Sequence, residues 1–255
     1  MNDNTTARVR IWDLPVRLVH WLLAATFLSA FAIATLTDDD GALFGFHALL
    51  GLLALSLAIV RIVWGLAGSR WARFGSFDLR VSSLARYLRE IPRRRSERSW
   101  PGHNPATAWF ALASLVLIMG LGVTGIATAR GSELAEEIHE VLAWSMAALA
   151  GIHIAGVAWH RVRRGENLAA AMVTGWKNAP RAEGIRSFRP WSGAVVLLLA
   201  GITALFLITR YDAATRRLML PLPGGPLQIA EAEEHEGSET DLRGHHSPED
   251  EEDDD

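Results

Sequence analysis

The chain has 255 residues, is half hydrophobic, carries a formal net charge of -3 at pH 7 and contains no cysteine. Absent thiols exclude disulfides, thiolate-held iron–sulfur clusters, a cysteine nucleophile and covalent haem attachment through a Cys-x-x-Cys-His motif. Mean hydropathy is positive, and the charge is gathered into blocks separated by long apolar stretches, so the near-neutral total says little about partners.

Five of those stretches reach or approach the ~20 residues that cross a ~30 Å hydrocarbon core. The first runs from Pro15 to Leu36, behind an arm holding Arg8, Arg10 and Arg17. It is too long for the ~7–15-residue core of a signal peptide. The turn after it, Thr37–Leu43, has Asp38, Asp39 and Asp40 and no basic residue. The second segment, Phe44–Leu66, opens into the Ala67–Ala106 loop, whose arginines are Arg70, Arg73, Arg80, Arg86, Arg89, Arg93, Arg94, Arg95 and Arg98. In that loop Asn104-Pro105 has the form of an N-cap followed by proline at the first helical position. The third segment, Thr107–Ala129, leads to a short loop with Arg130 against Glu133, Glu136 and Glu137. The fourth, Ile138–Trp159, is followed by a basic stretch from Arg161 to Arg189, in which Arg161–Lys177 predicts a helix tail and then an amphipathic piece on the membrane surface. The fifth is Trp191–Thr209. Tryptophans cluster at segment ends, as at a membrane interface.

Basic and non-basic loops alternate, which predicts an N-terminus inside and, after five crossings, a C-terminus outside. Basic loops also invite a nucleic-acid reading, but the intervening spans and the lack of aromatic–basic interleaving argue against it. After Arg210 comes Leu218–Pro226, read as a Pro/Gly linker, and then an acidic run ending in Glu249–Asp255 that is too polar to bury a core. For that tail three readings stand open: a solvated extension, electrostatic capture of a basic soluble partner protein, and weak divalent-metal binding with His235, His245 and His246.

Of the nine histidines, His20, His47, His139 and His153 fall within or at the edges of the first, second and fourth segments. An ionisable group in a span is costly and defaults to a functional reading. Their depths pair them. His139 and His153 are fourteen residues apart, so they share a helix face and stand ~21 Å apart along its axis. His153 is then level with His20 at the inner end, and His139 with His47 at the outer. Two facing imidazoles on neighbouring helices suit a low-spin haem. A zinc site would want further ligands at each level. Gly51, one turn after His47, gives room for a flat macrocycle or for ordinary helix packing, as do Gly151 and Gly156 around His153. Gly120, Gly122 and Gly125 in the third segment serve that role or helix packing. Arg17, Arg61 and Arg70, at the inner interface, are candidates for haem propionates, with snorkelling as their alternative. His160, seven residues beyond His153, is a rival inner ligand. No side chain stands out for acid–base catalysis.

Several runs resemble the bacterial cytochrome b561 family, which includes the cytochrome b subunits of nickel–iron hydrogenases and formate dehydrogenases. They are Val9-Arg10-Ile11-Trp12-Asp13-Leu14-Pro15 leading to Arg17-Leu18-Val19-His20-Trp21, His47 with Gly51, Arg61-Ile62-Val63-Trp64-Gly65 with Gly68-Ser69-Arg70, Gly102-His103-Asn104-Pro105, Glu137-Ile138-His139-Glu140, His153-Ile154-Ala155-Gly156-Val157 and Glu166-Asn167-Leu168. The resemblance covers roughly Val9 to Lys177. It implies an all-α polytopic membrane protein, a four-helix di-haem bundle here extended by a fifth transmembrane helix, in a bacterial inner membrane. It implies two non-covalent b haems, held by His20 with His153 and by His47 with His139. It also implies respiratory electron transport between the quinone/quinol pool and a dedicated protein, a periplasmic c-type cytochrome or a membrane-attached dehydrogenase subunit. The expected organisation is residues 1–180 as the di-haem domain, 181–212 as the added helix and 213–255 as linker and acidic tail. The rival activities are a quinone-linked superoxide oxidase or metal reductase working without a protein partner, and a haem-free transporter whose span histidines relay protons or metal. His103 matches a loop motif of the family without an evident role.

Overall fold

A computed structural model describes residues 6–38, 41, 43–90, 100–221 and 225–229. Asp39 and Asp40, the arginines at 93–98 and the acidic tail after 229 lie outside the described residues. The elements, in order, are β1 (Thr6–Arg10), α1 (Leu14–Leu36), α2 (Phe44–Ala67), α3 (Val81–Glu90), α4 (Pro105–Thr128), α5 (Glu133–Arg164), α6 (Leu168–Thr174), β2 (Trp176–Pro180), α7 (Pro190–Arg210), β3 (Tyr211–Asp212), β4 (Arg217–Leu218) and β5 (Leu227–Gln228). The helices α1, α2, α4, α5 and α7 are long and apolar enough to cross a membrane, matching the five expected segments. The chain is an all-α, multi-pass membrane protein, and its short strands lie outside the spans.

Local chemistry sets the helix starts. Asp13 caps α1, its Oδ1 accepting the Val16 N–H at 3.0 Å, with Pro15 in the first turn. Its other oxygen accepts the Trp64 indole N–H at 3.0 Å. One buried carboxylate thus starts α1 and ties it to the end of α2. Asn104 caps α4 through the Thr107 N–H at 2.9 Å, with Pro105 at the helix start, as the sequence predicts. Ser132 caps α5, whose first turn bears Glu133 and Glu136, where acidic groups favour the helix dipole. At 32 residues, α5 is about 48 Å long and overruns the Ile138–Trp159 segment at both ends.

Helix α1 packs along α2, α2 on α4, and α4 along α5, while α7 lies against α1 and α2. The bundle centre is Phe27, Ala54, Ala58, Leu115, Ile118 and Met146. Two small sheets, neither expected from the sequence, close the ends. At the inner end, named from the charge pattern, β1 pairs antiparallel with β2 from Thr6↔Pro180 to Arg10↔Trp176. The Gly175 carbonyl accepts the N–H groups of Ile11 and Trp12, so Arg161–Lys177 is not only the surface helix expected: α6 stops at Gly175 (φ 84°) and the chain turns into a strand. At the outer end, β4 pairs with β3 and β5, and Leu218 and Leu227 are buried with Leu49 and Leu207. Residues 222–224 of the Pro/Gly stretch lie outside the described residues, but its described ends are more than a linker. Its flanking leucines supply an apolar face for α2 and α7, and the Gln228 N–H donates to the Ala129 carbonyl.

Candidate functional site

The four span histidines meet in two pairs. The His20 and His153 ring centres are 6.4 Å apart at the inner end, and those of His47 and His139 are 6.0 Å apart at the outer end. An iron bonded at about 2 Å to one nitrogen of each ring sets the ring centres about 6–6.5 Å apart. Both pairs have the separation that one six-coordinate iron spans. Among the described residues no group of three or more His, Asp or Glu side chains could hold a metal ion without such a macrocycle.

The outer rings are oriented by hydrogen bonds. The His47 Nδ1 lies 2.9 Å from the Ala30 carbonyl of α1. A carbonyl only accepts, so this nitrogen carries the proton and Nε2 is left bare to bind metal. The ring also stacks on Phe44 at 5.3 Å. The His139 Nδ1 lies 3.0 Å from the Thr124 hydroxyl. The inner rings are held by aromatic contacts: His153 stacks on Phe110 at 4.2 Å and 18°, and His20 meets Trp21 edge-on at 5.2 Å. Phe110 and Thr124, both on α4, carried no signal in the sequence. Each is an ordinary span residue until α4 is known to lie beside α5.

The glycines divide. A Cβ on Gly51, Gly151 or Gly156 would meet nothing within 4 Å, and Gly51 is only partly exposed, so clear space lies one turn from His47. On Gly120 it would press Leu142, on Gly122 Leu55 and on Gly125 the His139 ring, which makes the α4 glycines packing positions.

The arginines divide too. Arg17 is turned away from the rings. Its guanidinium donates to the Met172 and Val173 carbonyls at the end of α6 and lies over Phe188. Arg70 is bound to Glu183 at 2.9 Å with its side chain half exposed. Arg61 is buried on α2, donating at 3.3 Å to the Ala72 carbonyl and lying 5.2 Å from the Phe74 ring centre. No carboxylate among the described residues lies within ion-pair distance of it. A buried guanidinium without an ion pair favours an anionic ligand.

His103 sits between Trp12 (4.7 Å) and Phe77 (4.5 Å), its Nδ1 sealed from solvent and without a partner among the described residues. Burial, helped by the positive field of Arg61, pushes its pKa down to about 3, so it is neutral near pH 7. His160, the rival inner ligand, faces Glu166 at 3.1 Å. It is not brought to His20.

A family profile for prokaryotic cytochrome b561 matches residues 11–175, a stretch holding both ring pairs and the helices that carry them. No curated protein and no solved structure matches the chain. The chain belongs to the prokaryotic cytochrome b561 family, whose members pass electrons across a membrane through b haems.

Proposed function

We propose that this family member holds two b haems, one between His20 and His153 and one between His47 and His139, and relays electrons between the quinone/quinol pool and a redox protein. The observation that supports this best is the pair of ring separations, 6.4 and 6.0 Å, at opposite ends of one bundle. When bound, the haems supply reversible one-electron transfer; the residues supply position. The two levels on α5 are ~21 Å apart along the axis, and the macrocycles shorten the edge-to-edge gap. Arg61 is the residue we assign to an inner propionate, and Gly51 is the clearance we assign to the outer macrocycle. We read residues 1–180 as the di-haem unit, 181–212 as an added span and 213–255 as its outer extension. The membrane is a bacterial inner membrane, with the N-terminus cytoplasmic and the C-terminus periplasmic. The protein partner is a periplasmic c-type cytochrome or a dehydrogenase subunit.

The test is haem stoichiometry in the purified protein and four variants. Two haems per chain are expected in the parent. His20→Ala and His153→Ala should each remove the same one, and His47→Ala and His139→Ala the other. Retention of both haems in any of the four would overturn that assignment. Reduction of the haems by a quinol in detergent tests the quinone half of the reading, and failure to reduce either haem would refute it.

A further inference from the structure

Threonine inside a helix commonly donates its hydroxyl proton to the carbonyl four residues back. Thr26, Thr35, Thr174 and Thr209 do so here. Thr124 does the same, with Oγ1 2.9 Å from the Gly120 carbonyl and 3.3 Å from that of Leu121. Unlike those four, it also faces a ring on another helix, the His139 Nδ1 at 3.0 Å. A hydroxyl has one proton; placed on the α4 carbonyls, as in those four threonines, it leaves only lone pairs facing His139. With the hydroxyl proton so placed the His139 Nδ1 is the donor, and a neutral imidazole with its proton there has Nε2 bare. The adjacent Gly125 leaves room for the ring, since a Cβ there would stand 3.2 Å from Cε1 and 3.5 Å from Nδ1.

We propose that Thr124 is a positioning residue for the outer haem: its hydroxyl oxygen accepts the His139 Nδ1–H, aims Nε2 at the iron and strengthens that nitrogen as a ligand. The proposal rests on His139 being an iron ligand. A hydrogen bond from the far side of a metal-bound imidazole raises its basicity, which favours ferric over ferrous iron and holds the reduction potential down. His47 gains the same tautomer from a backbone carbonyl, which no side-chain substitution removes. Thr124 is thus the adjustable half of the outer pair.

The experiment is a spectroelectrochemical titration of the purified holoprotein, with electron paramagnetic resonance of the ferric haems. Thr124→Val replaces the hydroxyl with a methyl of similar size; Thr124→Ser keeps the hydroxyl. Thr124→Val should shift the oxidised-to-reduced ratio of one haem three- to tenfold, about 30–60 mV upward for a one-electron couple. The other haem and the haem content should not change, and Thr124→Ser should match the parent. Parental potentials and resonance signals in Thr124→Val would overturn the proposal. Should Thr124→Val lose the outer haem, Thr124→Ser decides: retention at the parental potential supports the acceptor role, and loss in both overturns it. His139→Ala, measured in parallel, separates the two readings. Loss of one haem there with no Thr124 effect overturns the positioning role alone, whereas retention of both haems overturns the ligation on which it rests.

Discussion

Replacing Asp13 with alanine removes two bonds from one buried carboxylate. The first is the N-cap of α1, the bond from the Val16 N–H at 3.0 Å, whose loss costs ~1 kcal/mol. The second leaves the Trp64 indole N–H, now 3.0 Å from Oδ2, without that acceptor in a partly buried site, at ~1–3 kcal/mol. The two losses share one residue and are measured as one, ~2–4 kcal/mol. For a chain of this size ~1 kcal/mol moves the melting temperature by ~2–4 °C, so Asp13→Ala should melt about 4–16 °C below the parent. Asp13→Asn caps as well as aspartate but has one acceptor oxygen where the carboxylate has two, so it should lose about half as much. The assay is thermal unfolding of the detergent-purified protein, followed by helical circular dichroism and by the haem band. Because the link ties the start of α1 to the end of α2, the haem band should fall no later than the helical signal. An Asp13→Ala protein melting within about 2 °C of the parent would refute the account of Asp13 as a joint between the two helices.

Four further outcomes follow from named positions. Gly51→Leu fills space that no protein atom occupies within 4 Å of a Cβ, so it should lower occupancy of the outer haem while leaving the melting of haem-depleted protein unchanged; unchanged haem content would refute the clearance. For His103, with a folded pKa of about 3 against an ordinary 6.5, the unfolded chain binds the proton first as pH falls. Stability should therefore rise with pH between about 3 and 6.5, and His103→Gln should flatten that slope in melts at pH 4–7. A reporter fused after Asp255 should be active only outside the cytoplasm, and a cytoplasmic C-terminus would mean that α7 does not cross. Truncation after Ile229, which spares the paired Leu227 and Gln228, should slow exchange with a basic cytochrome at low salt only, if the acidic tail captures it; equal rates at every salt concentration would remove that reading.

The parts of this protein visible in its sequence are those that a membrane or a helix end dictates locally. Apolar runs of about twenty residues and caps such as Asn104-Pro105 need no knowledge of distant neighbours. Nor does the fourteen-residue step from His139 to His153, because helical geometry alone puts them on one face. What stayed hidden depends on which elements end up side by side. Strand β1 meets β2 about 170 residues away, and both are five residues long, too short for alternation to stand out from a charged arm. Arg17 reads as a propionate ligand by depth, but the turn at Gly175 brings the carbonyl end of α6 to its guanidinium first. Arg61 lies at a similar depth but is buried and donates to the Ala72 carbonyl alone, at 3.3 Å, so burial, rather than sequence position, separates the two. The fifth helix, α7, is likewise placed by its neighbours. It packs on α1 and α2, and α5, which carries His139 and His153, packs along α4. The sheet after α7 is fastened to α2 through Leu49 and to the end of α4 at Ala129. A segment so placed packs on the two helices that carry His20 and His47. Its removal should therefore loosen the outer pair, where the sheet is anchored, more than the inner one.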